Sequence, residues 1–584
     1  MLLAVFLMIA VVYLYSTFVM KPAPRPRPAP SPAPAAQTQA APPAQAGAAT
    51  VPPPPAAARL SAPPAALIGD TVERMITIET RLVRAQFSNR GGELVSWRLK
   101  RYLDDRKQPL EMVPQNLPGG PARPFALRTE DADLNARLDA ALFRPSTESP
   151  SIDATKGEAH LTFEYQDASG LSARKDFVLQ PNSYVVQFNT TVSQGDRAFN
   201  PFMVWGPGLG DAAASTETSR YLQKPEAIFF DQSIRRVAAT QLTPDKCQGA
   251  ASESGCAWEA GFRFAGVDDH YFVSAVLPKG GMRVEYQPVM LQVQVPPSRG
   301  LWDTLLGRPA ATAPQTVAVE LVSYAAKVAH ETPGMRVFVG PKDFDVLKAA
   351  DPQMVQVINF GMFAFLAVPL LRALTGINAY IGNYGWAIVF LTILINAVMF
   401  PLRHRSMVSM RKLQALQPQI KAIQDRYAKL KMNDPARSKM NTEMMALYKE
   451  KGVNPASGCV PMLLTMPVLF AFYAMLGQAI EVRGAPFGLW IHDLSRYDPY
   501  YVLPILMGLT MVWQQKMTPS SVDPAQAKMM MFMPIMFTAF FLWAPSGLAL
   551  YFLLSNLLAI GQQYLTNKLI APAGKADRGS KVKS

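Results

Sequence analysis

The side chains in this sequence that could do chemistry are few. His492 and Asp493, in LWIHDLS, have the types of a general-base pair, in which a carboxylate orients an imidazole that takes a proton. No nucleophile accompanies them in sequence, and a loop histidine serves equally as a local hydrogen-bond partner. Cys247 and Cys256 bracket the polar loop QGAASESG. In an oxidising compartment they could form a local disulfide; the alternative is two free thiols. Without clustered histidines they do not make a metal site. There is no HExxH, no CxxC and no P-loop between a strand and a helix, so neither a metal nor a cofactor is expected, nor an enzyme. Cys459, in an apolar run, reads as a small buried residue. The remaining candidate is Asn396. It sits inside ILINAVMFPLRHRS (393–406), an apolar run that breaks at Pro401 into Arg403, His404 and Arg405. An amide cannot trade protons at neutral pH, but it donates and accepts hydrogen bonds where lipid offers none.

The elements that would hold these residues follow from composition. The chain has 584 residues, 49% apolar and only 17% charged, which places part of it in lipid. Residues 1–20 are uncharged and long enough to anchor the chain across a bilayer; a cleaved signal peptide is the alternative. No cation precedes this segment, whereas Lys21, Arg25 and Arg27 follow it. Its orientation is therefore set by later spans, or the start given lies downstream of the true one. Residues 21–66 are rich in Pro and Ala and form a tether, roughly 140 Å long if fully extended at about 3.1 Å per residue. Residues 67–345 alternate apolar and polar side chains: Tyr184, Val186, Phe188, Thr190 and Val192 share one face, as do Val289, Leu291, Val293 and Val295, and Val317, Val319 and Leu321. Period two means half-buried strands. We expect an all-β soluble sandwich outside the cytoplasm, with no helix of comparable strength.

Beyond residue 350 the chain is membrane-like. The apolar segment 351–377, which carries Pro369 and Arg372, reads as a helix lying at the interface, because another span follows at once. Spans are expected at 385–402, 457–480, 502–515, 529–543 and 548–567, giving six with the amino-terminal anchor. Between 403 and 456 lie twelve cations against Asp425, Asp434, Glu443 and Glu450; the tail 568–584 has five against Asp577; the loop 516–528 has two against Asp523. These segments carry nearly all of the net charge of +14. Positive loops stay inside. Both termini are then cytoplasmic, while the loop 481–501 and the β domain lie outside. Pro401 marks the end of its span, with the cations among anionic lipid headgroups.

The segment 403–456 has its own architecture. Leu413, Leu416, Ile420 and Ile423 form a helical stripe. Asp434 and Pro435 start a second helix, which Gly452 ends. The result is a basic helical hairpin standing off the membrane, with Arg411 and Lys412 on one arm and Met440, Met444 and Met445 on the other. Its stripes could simply pack together. Alternatively, flexible methionines on a positive surface would receive an apolar polypeptide or a ribosome.

Four stretches carry a family resemblance: LQALQPQIKAIQDRY, ALYKEKGVNPASGCVPMLLTMPVLFAFY, LWIHDLSRYDPYYVLPILMG and MFMPIMFTAFFLWAPSGLALYFLLSNLLAIGQQ. They resemble the YidC/Oxa/Alb family of membrane protein insertases of the Gram-negative inner membrane, and the likeness extends over the whole chain. It implies a polytopic helical protein that inserts newly made inner-membrane proteins, alone or with the Sec translocon and its accessory subunits. It also implies a hydrophilic groove open to cytoplasm and lipid, a β domain largely dispensable for insertion, and a hairpin that receives substrate. Partners would be nascent membrane proteins, the translocon, the ribosome through hairpin and tail, and anionic lipids, with no specific nucleic acid. The family places an arginine four residues after a threonine and five before a proline. Thr392 and Pro401 match here, but the arginine position is Asn396. The family's last span often has a tyrosine where this chain has Phe552. The resemblance thus implies a polar but neutral groove lined by Thr392, Asn396, Thr465, Phe552, Ser555 and Asn556, with weaker dependence on acidic substrate residues.

Other classes fit less well. A secondary transporter needs ionisable groups inside its spans, and the five carboxy-terminal spans as drawn contain no Asp, Glu, His or Lys and no internal repeat. A carbohydrate or peptide ligand for the β domain stays open.

Overall fold

The computed structural model describes residues 65–569 apart from 105, 116–121, 211–222, 253–254, 296–314, 329–333, 428–435, 454–459 and 518–523. The amino-terminal span, nearly all of the tether, the carboxy-terminal tail, the Asp434–Pro435 cap and Cys459 lie outside the described residues.

The alternating segments form antiparallel sheets whose inner faces meet in one core. In the largest, Ala159–Asp167, Leu171–Leu179 and Val185–Gln194 run side by side, and Met335–Pro341 joins the last of them to Phe272–Leu277 and Phe264–Asp268. Register sets which side chains meet: Phe177 faces Phe188, and both are buried with Phe87, Phe125 and Phe163. A second sheet centres on the long hairpin Met282–Val295 and Gln315–Val328. A third holds Glu93–Leu103, Val83–Ser88 and Met75–Glu79, with Ser151–Asp153 pairing parallel at its edge. Tyr184, Val186, Phe188 and Val192 all point inward. Among the described residues one α-helix, α1 (Ala132–Ala140), interrupts the β domain; Asp131 caps it by accepting from the Asp133 and Leu134 N–H groups. The expectation of strands alone missed it because its buried face holds only Leu134 and Leu138. Cys247 and Cys256 are disulfide-bonded across the turn before Cys256–Ala260.

The helical half begins with α2 (Phe344–Ala350) and α3 (Ala364–Ile381), joined by 3-10 turns at Pro352–Val357 and Gly361–Phe363. The interfacial helix expected from residue 351 therefore starts later and ends at Gly382, whose φ of 73° suits a left-handed cap. Then come α4 (Tyr384–Ala415), α5 (Gln417–Arg426), α6 (Ala436–Glu450), α7 (Val460–Gln478), α8 (Val502–Met517), α9 (Pro524–Phe541) and α10 (Ser546–Leu569). Among the described residues, three helices are long and apolar enough to cross a membrane: Gly361–Ile381, Tyr384–Leu413 and Ser546–Thr566. Met466–Gln478 and Met531–Phe541 are shorter apolar stretches. Pro401 does not end its helix, contrary to expectation: α4 runs through it to Ala415. A proline inside a helix removes one N–H and crowds the carbonyl four residues back. Membrane helices tolerate this when neighbours engage the freed backbone groups. The carbonyl left without its N–H is that of Ala397; beside Pro401, Gln562 of α10 donates to the Phe400 carbonyl at 3.1 Å and ties α4 to its neighbour.

The β domain grips one end of the helices. His270 Nδ1 accepts from the Gln223 N–H at 3.0 Å, so Nε2 carries the proton and donates to the Gly477 carbonyl at 2.6 Å, in the last turn of α7. That carbonyl is one of those a helix leaves unpaired at its end. Arg483 lies over the Tyr271 and Phe272 rings and donates to the Leu103 carbonyl. Burial, with Lys342 nearby, pushes the His270 imidazole down to about 4 from the usual 6.5. The unfolded chain takes up a proton there that the folded chain refuses. The contribution of neutral His270 is thus intact above about pH 6.5 and is lost as pH falls toward 4. The detergent-solubilised protein should lose about 1–2 kcal/mol more between pH 7.5 and 5 than His270→Gln does, read from paired thermal melts. Equal losses would remove His270 as the cause.

Candidate functional site

Three helices meet along α10, and the side chains between them are polar. Toward α4, Asn396 Nδ2 reaches Ser555 Oγ at 3.5 Å, Gln562 Nε2 donates to the Phe400 carbonyl, and His404 Nδ1 lies 3.3 Å from Thr566 Oγ1. Toward α8, Asn556 Nδ2 donates to Thr510 Oγ1 at 3.4 Å and Gln563 Nε2 to the Met517 carbonyl at 2.9 Å. Residue numbers rise together on both members of each ladder, so α4, α8 and α10 run parallel. In a serpentine membrane chain, α7 and α9 then run back between them.

The ladder starts at Asn396, Thr510 and Ser555, at or ahead of the midpoints of these helices, and runs toward their carboxy termini. Their amino-terminal halves pack with apolar groups: Ile388 and Leu391 of α4, Leu548 and Ala549 of α10, and Phe472 of α7, stacked 4.0 Å from the Tyr551 ring. Polarity therefore changes partway along the bundle, near Asn396 and Ser555.

Asn396 is central but not open. Only 8% of it is exposed, and its Nδ2 also donates to the Thr392 carbonyl at 2.8 Å. Thr392 is fully buried, its hydroxyl turned onto the Ile388 carbonyl. Neither group is free to hydrogen-bond an arriving chain as it stands. Their hydrogen bonds are made within the bundle, because lipid offers none. The expectation of a neutral site is corrected. Arg403 Nη1 donates to Asn396 Oδ1 at 2.7 Å, so a guanidinium reaches back two turns to the position from which an arginine was missing. Among the described residues no carboxylate forms an ion pair with it. Tyr551, one residue before Phe552, is buried against the Phe472 ring. Phe552 itself packs edge-on against Phe541. Ser555 and Asn556 are half-buried. The side chain of Thr465 lies outside the described residues.

A signal for Arg403 existed. Seven residues bring a helix back to nearly the same face, and helical side chains lean toward the amino terminus. The spacing of Asn396 and Arg403 thus permits the contact, but the sequence reading assigned Arg403 to the headgroups.

In the hairpin, Leu416, Ile420 and Val453 are buried, with Leu413, Met444, Leu447 and Tyr448 packed against them. Met444 therefore helps join the arms. Met445 is 58% exposed, Lys412 is exposed, and Met440 and Arg411 are half-buried. Gly452, at φ 61°, closes α6 as expected. Asp493 accepts from the Gly484 and Ser495 N–H groups and from the Ser495 hydroxyl, a loop brace rather than half of a catalytic pair. Among the described residues no cluster of His, Cys, Asp and Glu could hold a metal ion.

Comparison with known proteins gives two family models that together span nearly all of the described chain. One, described as 60Kd inner membrane protein, matches residues 376–573; the other, YidC periplasmic domain, matches residues 75–373. A membrane protein insertase YidC of Geobacter metallireducens is 37% identical over 581 residues, 98% of either chain. Its counterpart in Pelobacter propionicus is 34% identical over 524 residues, 87% of this chain and 90% of that one. Among solved structures, an active YidC insertase with its first transmembrane domain resolved matches at a TM-score of 0.33 and 17% identity, over 85% of this chain and 95% of that one.

Proposed function

Because the chain belongs to the YidC family of membrane protein insertases, it is an inner-membrane protein that inserts membrane proteins, and we propose that it does so along the polar half of its bundle. The observation that carries this reading is the polar seam around α10, confined to the half of the bundle that runs from Asn396, Thr510 and Ser555 toward the carboxy termini. With the basic segments held inside, that half faces the cytoplasm and the β domain lies in the periplasm. Both termini are then cytoplasmic, and α3 lies along the outer interface.

A hydrophilic stretch of a new chain costs about 2.5–3.5 kcal/mol per charge at the bilayer centre on insertion scales. Entering beside Ser555, Asn556 and the Asn396–Arg403 pair, it keeps hydrogen-bond partners through half the thickness. Only the apolar half remains to be crossed. The new hydrophobic span then partitions sideways, driven by its own apolar area. No nucleotide and no covalent step is needed, so the protein is not an enzyme. Arg403 is the cation of this site and Asn396 its resting partner. Exposed Met445, with Met440, Arg411 and Lys412, offers the arriving chain a first apolar and positive surface. The ribosome, anionic lipids and the Sec translocon are partners on the same charge and family grounds.

Purified protein in liposomes of inner-membrane composition should insert a one-span substrate in a protease-protected topology at several times the rate of empty liposomes. The same protection without the protein would defeat the proposal.

A further inference from the structure

Gln562 and Gln563 are adjacent on α10, and both are buried, at 8% and 5% exposure. Neighbouring residues on a helix point about 100° apart. The two amides accordingly serve different neighbours: Gln562 donates to the Phe400 carbonyl of α4, Gln563 to the Met517 carbonyl at the end of α8. Phe400 immediately precedes Pro401, the one point in α4 where the backbone ladder is broken. An interhelix bond there acts on the softest part of the helix. Four residues on, His404 makes the next contact with α10, at Thr566. Four residues back, Asn396 makes the previous one, at Ser555. Arg403 lies between these contacts, and its guanidinium meets Asn396 across the proline. The rotation of α4 after Pro401 decides whether Arg403 turns inward to Asn396 or outward to the headgroups, where a long cation near a span end otherwise goes.

We propose that Gln562 is a positioning residue: by holding the Phe400 carbonyl it sets the course of α4 through Pro401, so that Arg403 faces the insertion site and can meet the carboxylates of an arriving chain. The inference rests on the reading of Arg403 as the cation of that site.

The test uses the full-length protein in liposomes and two versions of a one-span substrate, with an acidic or a neutral translocated leader. The quantity read is the ratio of their insertion rates. Gln562→Met keeps the length of the side chain and removes the donor. It should lower the acidic-to-neutral ratio roughly three- to tenfold, the range an interhelix hydrogen bond in a bilayer supplies. Gln562→Asn, polar but one methylene shorter, should lower it in the same direction and guards against a folding defect in the first variant. Gln563→Met removes the bond to α8 and should slow both substrates alike. In Gln562→Met/Arg403→Gln the ratio should be no lower than in Arg403→Gln alone, because both changes act through one cation. If both Gln562 variants slow the two substrates equally, the residue is merely structural and the proposal is overturned. If they leave the ratio unchanged while Arg403→Gln alters it, the proposal fails and the reading of Arg403 stands. If Arg403→Gln also leaves it unchanged, that reading fails first.

Discussion

Arg403→Gln is expected to slow insertion of a substrate with an acidic leader by about ten- to a hundredfold, and of the neutral version by little. The factor corresponds to about 1.5–3 kcal/mol for a hydrogen bond to a charged group. Arg403 is half-buried, spends one donor on Asn396 and has no carboxylate partner among the described residues. Its other donors are available to an anion that comes within reach. Glutamine keeps a donor and removes the charge, so the comparison isolates the electrostatic part. Insertion kinetics of the two substrates, measured at low and high salt, check it; a charge effect at a partly sheltered site persists at high salt better than one at the surface. Equal slowing of both substrates would end the assignment. The same geometry reverses the simplest expectation for Asn396→Arg. A second guanidinium there would replace an acceptor with a like charge beside Arg403, so this variant should insert acidic substrates less well than wild type.

Asp268→Asn is expected to destabilise the β domain by about 3–5 kcal/mol, the range for removing one partner of a buried ion pair. Asp268 is fully buried at the end of its strand, with Lys342 Nζ at 2.6 Å and Arg236 Nη1 at 2.7 Å. Lys342 is buried as well, and burial holds its ammonium below the usual lysine range against the pull of Asp268. An amide in place of the carboxylate leaves two cations without their closest counter-charge, with Glu226 standing off from Arg236 at 3.9 Å. Arg236 also donates to the Val357 carbonyl at 2.5 Å, ahead of α3, and Asp268 lies two residues before His270. Loss of the carboxylate should therefore loosen the join between β domain and helices along with the sheet. Thermal unfolding of the solubilised protein, followed by near-ultraviolet dichroism of Trp97 and Trp205 in the β core, gives the measurement. A melting temperature within a degree or two of wild type would show that the cluster is not what holds this edge.

Much of the architecture was legible because it follows from periodicity and charge. Period two in Tyr184–Val192 placed a strand with its inward face correct, since a one-residue slip would expose every large side chain. Charge counts grouped the basic segments on one side, and the parallel course of α4, α8 and α10 agrees with that grouping. What escaped were contacts that depend on continuity through a weak signal. A proline reads as a stop when only its own helix is considered. The contact that ties α4 to α10 beside that proline comes from Gln562, 161 residues later. Once α4 was cut at Pro401, Arg403 became a loop cation and its reach to Asn396 could not be drawn. The short helix Ala132–Ala140 escaped for another reason, because two buried leucines in nine residues give almost no periodic pattern.

The stack of Phe472 on Tyr551, among the buried apolar groups of the bundle, has an electrical consequence. Ions and protons leak through a membrane protein only along a continuous thread of water, and a narrow hydrocarbon constriction empties of water by itself. In the orientation proposed above, solvation is confined to the inner leaflet, and a polar peptide can be admitted halfway while the outer leaflet stays dry. The cell's transmembrane voltage then falls across that thin insulating layer. A negative residue on the incoming peptide would feel the steepest part of the field just where its last solvating partners end.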